Sequence, residues 1–166
     1  MFEELVRIEN IFNQYIAVNF KNVSSEEECK DYAGYNFKIG SHHIKFRRAK
    51  ITPKKAGHFV TLWKRNVMGQ TEPFDETDSF DYCIILVEQH DQFGVFIIPK
   101  SVLLEKQIIS TKQHLGKRGF RVYPDWVYTE SSQGKKTQSW QSLFFVNLCA
   151  NEENAAEKLK MLLNIT

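Results

Sequence analysis

The stretch Phe80-Asp-Tyr-Cys-Ile-Ile-Leu-Val-Glu-Gln-His-Asp-Gln-Phe-Gly-Val-Phe-Ile-Ile-Pro99 decides the fold of this chain. Two apolar runs, Phe80–Val87 and Phe93–Pro99, flank a polar turn at His90-Asp91-Gln92. Because successive positions within each run are apolar, both faces of each strand must be buried. The two runs are therefore predicted to be neighbouring strands at the centre of a sheet.

Shorter segments on either side of this pair are also predicted to be strands. Apolar and polar residues alternate over Tyr35–Ile39 and again from Ile44, with a Gly40-Ser41 turn between them, which is typical of a hairpin. The segment His58–Arg65 alternates in the same way, and Phe120–Tyr123 is a short strand that Pro124 stops. The sequence thus predicts a mainly antiparallel or mixed sheet of about five strands.

Three helices are predicted to pack on this sheet. The first lies at the N-terminus, where apolar residues recur at helical spacing from Leu5 to Ile16. The second begins at the cap residue Thr137 and continues through Trp140 to Leu148, which makes Trp140 a core residue. The third begins near Asn151. The predicted fold class is α+β, with residues 1–166 in a single domain.

Composition excludes several classes of protein. The 166 residues are 42% hydrophobic and 13% aromatic, which suits a globular core and argues against disorder. The first residues do not form a signal peptide and no apolar run is long enough to span a bilayer, so we expect a cytoplasmic location without membrane insertion. Cys29, Cys83 and Cys149 are widely spaced, and neither a zinc-ligand spacing nor a nucleotide-binding glycine motif is present. No metal and no cofactor are therefore predicted.

Charge is distributed in blocks that the net charge of +2 conceals. Residues 38–65 contain nine Lys or Arg and no Asp or Glu, and residues 66–93 contain seven acids and no base. Like charges collected on one surface create a field that attracts a ligand of opposite sign. The basic block therefore favours a surface that binds nucleic acid or another phosphate-bearing ligand.

We predict that this surface is formed by strands 43–51 and 58–65 together with the loops near residues 100 and 116–121. The flexible amides of Gly116-Lys117-Arg118-Gly119, beside two cations, suit a phosphate. The alternative is that the acids of residues 72–91 pair with the bases internally. The candidate binding residues are Lys45, Arg47, Lys50, Lys54, Lys64, Arg65, Lys100, Lys117, Arg118, Arg121, Gln138 and Gln141.

Two other functions are considered from the acidic loop. Asp75, Asp78 or Asp81 with Lys100 would be the carboxylates and the lysine of a metal-dependent nuclease, although the residues after Glu88 depart from the nuclease pattern. The loop together with exposed aromatic residues would alternatively bind cationic substrates. No nucleophile elbow is present, so the sequence favours a protein that is not an enzyme.

Five ordered motifs resemble the MepB family, over about residues 28–145. They are Lys50-Ile-Thr-Pro-Lys-Lys-Ala-Gly-His-Phe-Val-Thr-Leu-Trp-Lys-Arg65, Pro73-Phe-Asp75 with Asp78, Phe96-Ile-Ile-Pro-Lys100, Gly116-Lys-Arg-Gly-Phe-Arg-Val-Tyr-Pro124 with Trp126, and Lys136-Thr-Gln-Ser-Trp-Gln141. The chain departs from the family pattern at His58, where Gln is usual, and at Val127, where an acid is common. Residues 150–166 are expected to be a helical extension of the family-like core.

The resemblance implies a fold more than a function. The family is named from a staphylococcal operon that also encodes a multidrug efflux pump and a MarR-type repressor, so the resemblance implies that the cationic substrates considered for the acidic loop would be efflux substrates. It brings no particular activity with it. It implies similarity to restriction-endonuclease-type nucleic-acid-binding domains, which is an argument about fold and not about catalysis. The family motif positions are mostly cations and amides, and they overlap the basic set given above.

Overall fold

A computed structural model of the protein describes residues 3–149 and 154–166. The helices are α1 (Glu3–Ile16), α2 (Lys100–Glu105), α3 (Ser132–Gln141) and α4 (Ala155–Leu162). The strands are β1 (Lys21–Ser25), β2 (Tyr35–Ile39), β3 (His42–Arg48), β4 (Lys50–Ile51), β5 (His58–Thr61), β6 (Trp63–Arg65), β7 (Thr71–Pro73), β8 (Tyr82–Gln89), β9 (Gln92–Pro99), β10 (Gly119–Val122) and β11 (Phe145–Asn147).

The central sheet has six strands in the order β1-β2-β3-β8-β9-β11, and the predicted strands 58–65 and 120–123 lie outside it. Neighbouring strands in this sheet are antiparallel, except for β3 and β8, which are parallel to each other. The sheet is therefore mixed. A second sheet of order β10-β5-β4 and a two-stranded ribbon of β6 and β7 account for the other strands. The predicted α+β class is confirmed, and the hairpin β8–β9 lies inside the main sheet as expected.

Both faces of the β8–β9 hairpin are covered, which explains its unbroken apolar sequence. Ile84 and Leu86 face a core formed with α1 and α4. Cys83 and Ile85, which alternate with them, face a second core formed with α2 and the smaller sheet. Successive side chains of a strand point to opposite faces of the sheet, so neighbouring residues of β8 belong to two different cores. α1 belongs to the first core through Leu5 and its helical repeats, as the sequence predicted.

The helix predicted from Thr137 to Leu148 is wrong in its position. α3 begins earlier, at Ser132, because the Ser131 side chain caps it by accepting the backbone N–H of Gly134. The helix ends at Gln141, and Phe145–Asn147 forms β11, which pairs with β9 at the edge of the central sheet. Pairing with β9 provides hydrogen-bond partners for the backbone N–H and C=O groups at this edge of the sheet. A helix that continued through these residues would leave those groups without partners.

The C-terminal helix is part of the first core. The predicted start near Asn151 lies outside the described residues, and α4 is described from Ala155. Leu159 and Leu163 are fully buried and pack in the same cluster as Ile8 of α1. Within the described ranges, no helix has the length and apolar character that crossing a membrane requires.

His58 on β5 creates an expected dependence of stability on pH. The residue is 1% exposed, and neither of its ring nitrogens has a hydrogen-bond partner among the described residues. Burial lowers the pKa of His58 below its ordinary value. The unfolded chain therefore takes up a proton before the folded chain does, and the free energy of unfolding falls as the pH drops below about 6.5.

We expect His58→Gln to reduce this loss of stability on acidification, because glutamine does not titrate. Urea unfolding of both proteins at several pH values between neutral and mildly acidic measures the effect. His114→Gln, a change at an exposed position, is the matched control and should follow the wild type. If His58→Gln loses stability on acidification as steeply as the wild type, the buried histidine is not its cause.

Candidate anion-binding cleft

Two central cations of the predicted basic sheet face are paired inside the protein, Arg47 fully buried and Lys45 partly buried. Arg47 is 0% exposed, and its guanidinium donates to Glu26 Oε2 at 2.5 Å and to the carbonyl of Thr61 at 3.2 Å. Lys45 Nζ lies 2.9 Å from Glu26 Oε1. Although burial acts to raise the pKa of Glu26, the charges of Arg47 and Lys45 hold it below its ordinary value. These residues form an ion cluster of the interior and are not available to a ligand.

Lys64 is enclosed by carboxylates of the acidic loop. Its ammonium lies 2.8 Å from Asp78 Oδ2, 3.0 Å from Asp75 Oδ2 and 3.7 Å from Glu72. Partial burial acts to lower the pKa of Lys64, but hydrogen bonds to Asp78 and Asp75 raise it overall. The Thr77 hydroxyl and the Lys64 ammonium lower the pKa of Asp75 to about 2. The acidic block of the sequence thus neutralises part of the basic block.

The acidic loop does not present the geometry of a metal centre. Lys100 Nζ donates to the backbone carbonyls of Glu76 and Asp78, so it closes the loop and points at no carboxylate. Asp81 Oδ2 accepts the backbone N–H of His43 at 2.7 Å, in a separate interaction. Among the described residues, no cluster of three or more metal-ligating side chains is found. These contacts favour neither the nuclease hypothesis nor binding of cationic substrates by this loop.

The remaining predicted cations of the sheets lie in separate surroundings. Arg65 pairs with Glu28 at 2.6 Å, and Arg118 donates to the carbonyl of Thr71 at 2.9 Å. Lys50 Nζ lies 4.6 Å from the ring centroid of Tyr32. Lys54 is exposed in the loop between β4 and β5. Arg65 and Arg118 meet at Thr71, whereas Lys50 and Lys54 belong to another sheet and the loop that follows its first strand.

A cleft between α3 and β10 gathers the unpaired cations instead. It has a volume of about 360 Å³. Among the described residues, no acidic side chain lines it. One wall is the face of α3 whose residues are spaced at i, i+3, i+4 and i+7, and the other comes from β10 and the segments before it. The lining residues are Lys106, Ile108, Lys117, Phe120, Arg121, Tyr123, Gln133, Lys136, Thr137, Trp140 and Gln141.

Two predicted glutamines attach α3 to this wall. Gln141 is 0% exposed, and its side chain accepts the backbone N–H of Tyr123 at 2.8 Å and donates to the carbonyl of Arg121 at 2.9 Å. Gln138 donates to the carbonyls of Pro124 and Val127. Both glutamines therefore position the helix, and the side-chain amide nitrogens of both are bonded within the protein.

Gly134 lets α3 approach the rest of the protein closely. A Cβ at this position would lie 2.5 Å from Thr129 Oγ1 and 2.8 Å from the capping oxygen of Ser131. Gly→Ala inside a helix ordinarily stabilises by about 1 kcal/mol. Here we expect Gly134→Ala to destabilise by about 1–3 kcal/mol, because overpacking displaces the helix and its cap.

Urea unfolding measures this difference, with Ser139→Ala at an exposed position of the same helix as the control. An alanine at residue 134 that raises the stability would contradict the close packing of α3.

The cations of the cleft differ in the contacts that they make within the protein. Arg121 donates to the carbonyls of Ala56 and Gly57, so its positive charge is held in place. Lys117 and Lys136 are exposed and have no ion pair with any described acid. Lys106 has none either, and its ammonium lies 5.3 Å from the centroid of the Trp140 ring. Four cations without an acid nearby are the arrangement that an anion would neutralise.

Lys117 of the Gly116–Gly119 loop contributes a positive charge to the cleft, but the backbone N–H groups of Gly116 and Lys117 already have partners within the protein. The backbone N–H of Gly116 donates to the Ser110 hydroxyl, and that of Lys117 donates to the carbonyl of Ile108. A Cβ at Gly116 would lie 2.4 Å from that carbonyl oxygen, so the close approach requires glycine. These amides are therefore not available to a phosphate, contrary to the prediction.

Sequence reasoning found only part of the cleft. Lys117, Arg121 and Gln141 were among the predicted residues, whereas Lys106 and Lys136 were missed. Trp140 was predicted to be in the core, but it is only half-buried and lines the cleft. The signal for α3 was present in its composition, since a helix with two lysines, no acid and only one large apolar residue has little to bury.

These features define the chain first as an α+β domain with a mixed central sheet and a basic cleft beside it. The MepB-like family model matches residues 26–147, and the chain belongs to this family. The crystal structure of MepB is similar at a TM-score of 0.79 with 33% sequence identity, over 92% of this chain and 100% of that chain. The family match ends before α4.

A more distant structural similarity is also found. The bacterial homing endonuclease I-Ssp6803I aligns with 85% of this chain and 87% of its own length, at 13% identity and a TM-score of 0.43. A likeness of this size supports no argument about the fold or the function of the chain. No curated protein sequence matches this one.

Proposed function

We propose that this protein binds the phosphate groups of nucleic acid through the cleft between α3 and β10. The observation that carries the proposal is the lining of that cleft, where Lys106, Lys117, Arg121 and Lys136 meet without an acidic side chain. Elsewhere the cations Lys45, Arg47 and Lys64 are neutralised by neighbouring carboxylates. The unpaired positive charge of the cleft therefore distinguishes it from these three positions.

Lysine and arginine contacts to phosphate imply a characteristic dependence on salt. Each phosphate that is neutralised releases counterions, so the logarithm of the affinity falls by about 0.7 per contact for each unit of log salt on a single strand. Four cations in one cleft imply a total slope of at most about −3. Contacts to phosphate carry no sequence information, so binding should be indifferent to sequence.

An anisotropy titration with labelled oligonucleotides tests the proposal. The full chain is titrated into a single strand and into the corresponding duplex, each at low and at physiological ionic strength. We expect measurable binding at low salt that weakens as salt is added and that survives a change of sequence. Absence of binding to both oligonucleotides at low salt would overturn the proposal.

A second assay separates binding from cleavage. Supercoiled plasmid is incubated with the protein and either Mg²⁺ or Mn²⁺, and Asp81→Ala serves as the control variant. Binding without nicking is the result expected here. Nicking that Asp81→Ala abolishes would instead support a nuclease, and the function proposed for this protein would have to be replaced.

A further inference from the structure

The cleft has an aromatic wall in addition to its cations. Trp140 is half-buried and lines the cleft together with Phe120 and Tyr123. The edge of its indole contacts Phe144 in a T-shaped arrangement with ring centroids 6.3 Å apart, which holds the ring in place. A site for a phosphate group alone needs no such wall, because cations and water suffice to bind an inorganic anion.

A flexible lysine lies beside Trp140 in the cleft. The ammonium of Lys106 lies over this ring at 5.3 Å from its centroid. The lysine is a flexible side chain with no acidic partner among the described residues, so a planar group can take its place over the indole. The displaced ammonium then stays near enough to meet a phosphate attached to that group.

The cleft volume of about 360 Å³ suits a small planar ligand. It lies near the lower end of the range of small-molecule sites, about 300–1,000 Å³. A duplex keeps its base faces stacked inside the helix, where no side chain reaches them. An unpaired nucleotide exposes one base face for stacking and carries its phosphate beside it.

We infer that the cleft binds an unpaired nucleotide, with its base stacked on Trp140 and its phosphate among Lys106, Lys117 and Lys136. This inference rests on the proposed binding of phosphate by the same cleft and names the form of nucleic acid that fits. Arg121, which is fixed by its bonds to the loop before β5, contributes positive charge near the phosphate. The preferred partner is therefore single-stranded nucleic acid or a mononucleotide.

The test compares ligands that carry the same phosphate with and without a base. The full chain is titrated with adenosine 5′-monophosphate, with ribose 5-phosphate, and with a single-stranded and a duplex oligonucleotide. Trp140→Leu removes the aromatic face, and Trp140→Phe keeps a ring that can stack. We expect Trp140→Leu to weaken single-strand binding by about 5- to 100-fold, and Trp140→Phe to lose much less.

Two further readouts make the result specific to stacking. Trp140→Leu should leave the salt slope and the binding of ribose 5-phosphate unchanged, since neither depends on the base. Binding of the mononucleotide to the wild type should quench part of the indole fluorescence, and Trp140→Phe should abolish that part. The quenching is measured on the intact protein and so keeps the test valid if Trp140→Leu folds poorly.

Failure of this inference differs from failure of the proposed function. If no phosphate-bearing ligand binds at low salt, the proposed function itself is lost. If ribose 5-phosphate and the nucleotide bind equally well, or if Trp140→Leu weakens single strand and duplex to the same extent, the cleft binds phosphate without stacking a base. Either of these last two results would overturn the inference of base stacking, while the proposed binding of phosphate by the cleft would stand.

Discussion

Replacing Lys136 with glutamate is expected to weaken binding of a single-stranded oligonucleotide by about 10- to 100-fold at low salt. Lys136 is exposed on the face of α3 that lines the cleft, so its removal leaves no buried charge behind. The substitution removes one cation and adds an anion among Lys106, Lys117 and Arg121. Anisotropy titrations at several salt concentrations measure both the affinity and the slope, which should become shallower by about 0.7.

The matched control is Lys160→Glu, which changes the net charge of the protein by the same amount. Lys160 is exposed on α4, a helix that packs on the opposite face of the central sheet. At physiological ionic strength, where the Debye length is about 8 Å, we expect the affinity of Lys160→Glu to remain within about twofold of the wild type, since exposed charges beyond this distance are largely screened. An equal loss in both variants would mean that net charge, and not the cleft, determines binding.

Replacing Arg47 with methionine is expected to cost about 3–5 kcal/mol of stability, the largest effect of any single change proposed here. Its guanidinium is fully buried and bonds to Glu26 and to two backbone carbonyls. Methionine fills much of the volume but leaves Glu26 with only Lys45 to balance it. Removing one partner of a buried pair costs far more than the pair itself contributes.

The neighbouring Arg48 provides the control for this prediction. It is 43% exposed and pairs with Glu4 and Glu88 near the surface, so Arg48→Met should cost less than about 1 kcal/mol. Urea unfolding of the two variants compares adjacent arginines of one strand. If Arg47→Met is as stable as Arg48→Met but no longer binds oligonucleotide, Arg47 belongs to the binding site and its structural role is refuted.

The difference between these arginines illustrates the limit of charge counting. Both occur in the same acid-free segment of the sequence, which predicted a basic sheet face. The tertiary structure brings Glu26 to Arg47, and Asp75 and Asp78 to Lys64. The alternative weighed from the sequence, that the acids of residues 72–91 neutralise the bases, therefore describes Lys64 correctly.

The candidate cleft could be predicted only in part for the same reason. Lys117 and Arg121 were found because they belong to a glycine-bounded basic motif, but Lys106 and Lys136 lie in other segments of the chain. The distance between them depends on how α3 docks on β10 through Gln141. Hydrogen bonds from a side chain to a distant backbone leave no periodic signal in a sequence.

The sequence by itself determined the α+β class, the central β8–β9 hairpin and the amphipathic α1. Each of these depends on the spacing of apolar residues along the chain, because a buried face must repeat with the period of its strand or helix. The tertiary structure alone decided where α3 begins and which cations have no acidic partner. Electrostatic pairing acts between residues that are close in space, so only the folded chain leaves the cleft between α3 and β10 positively charged.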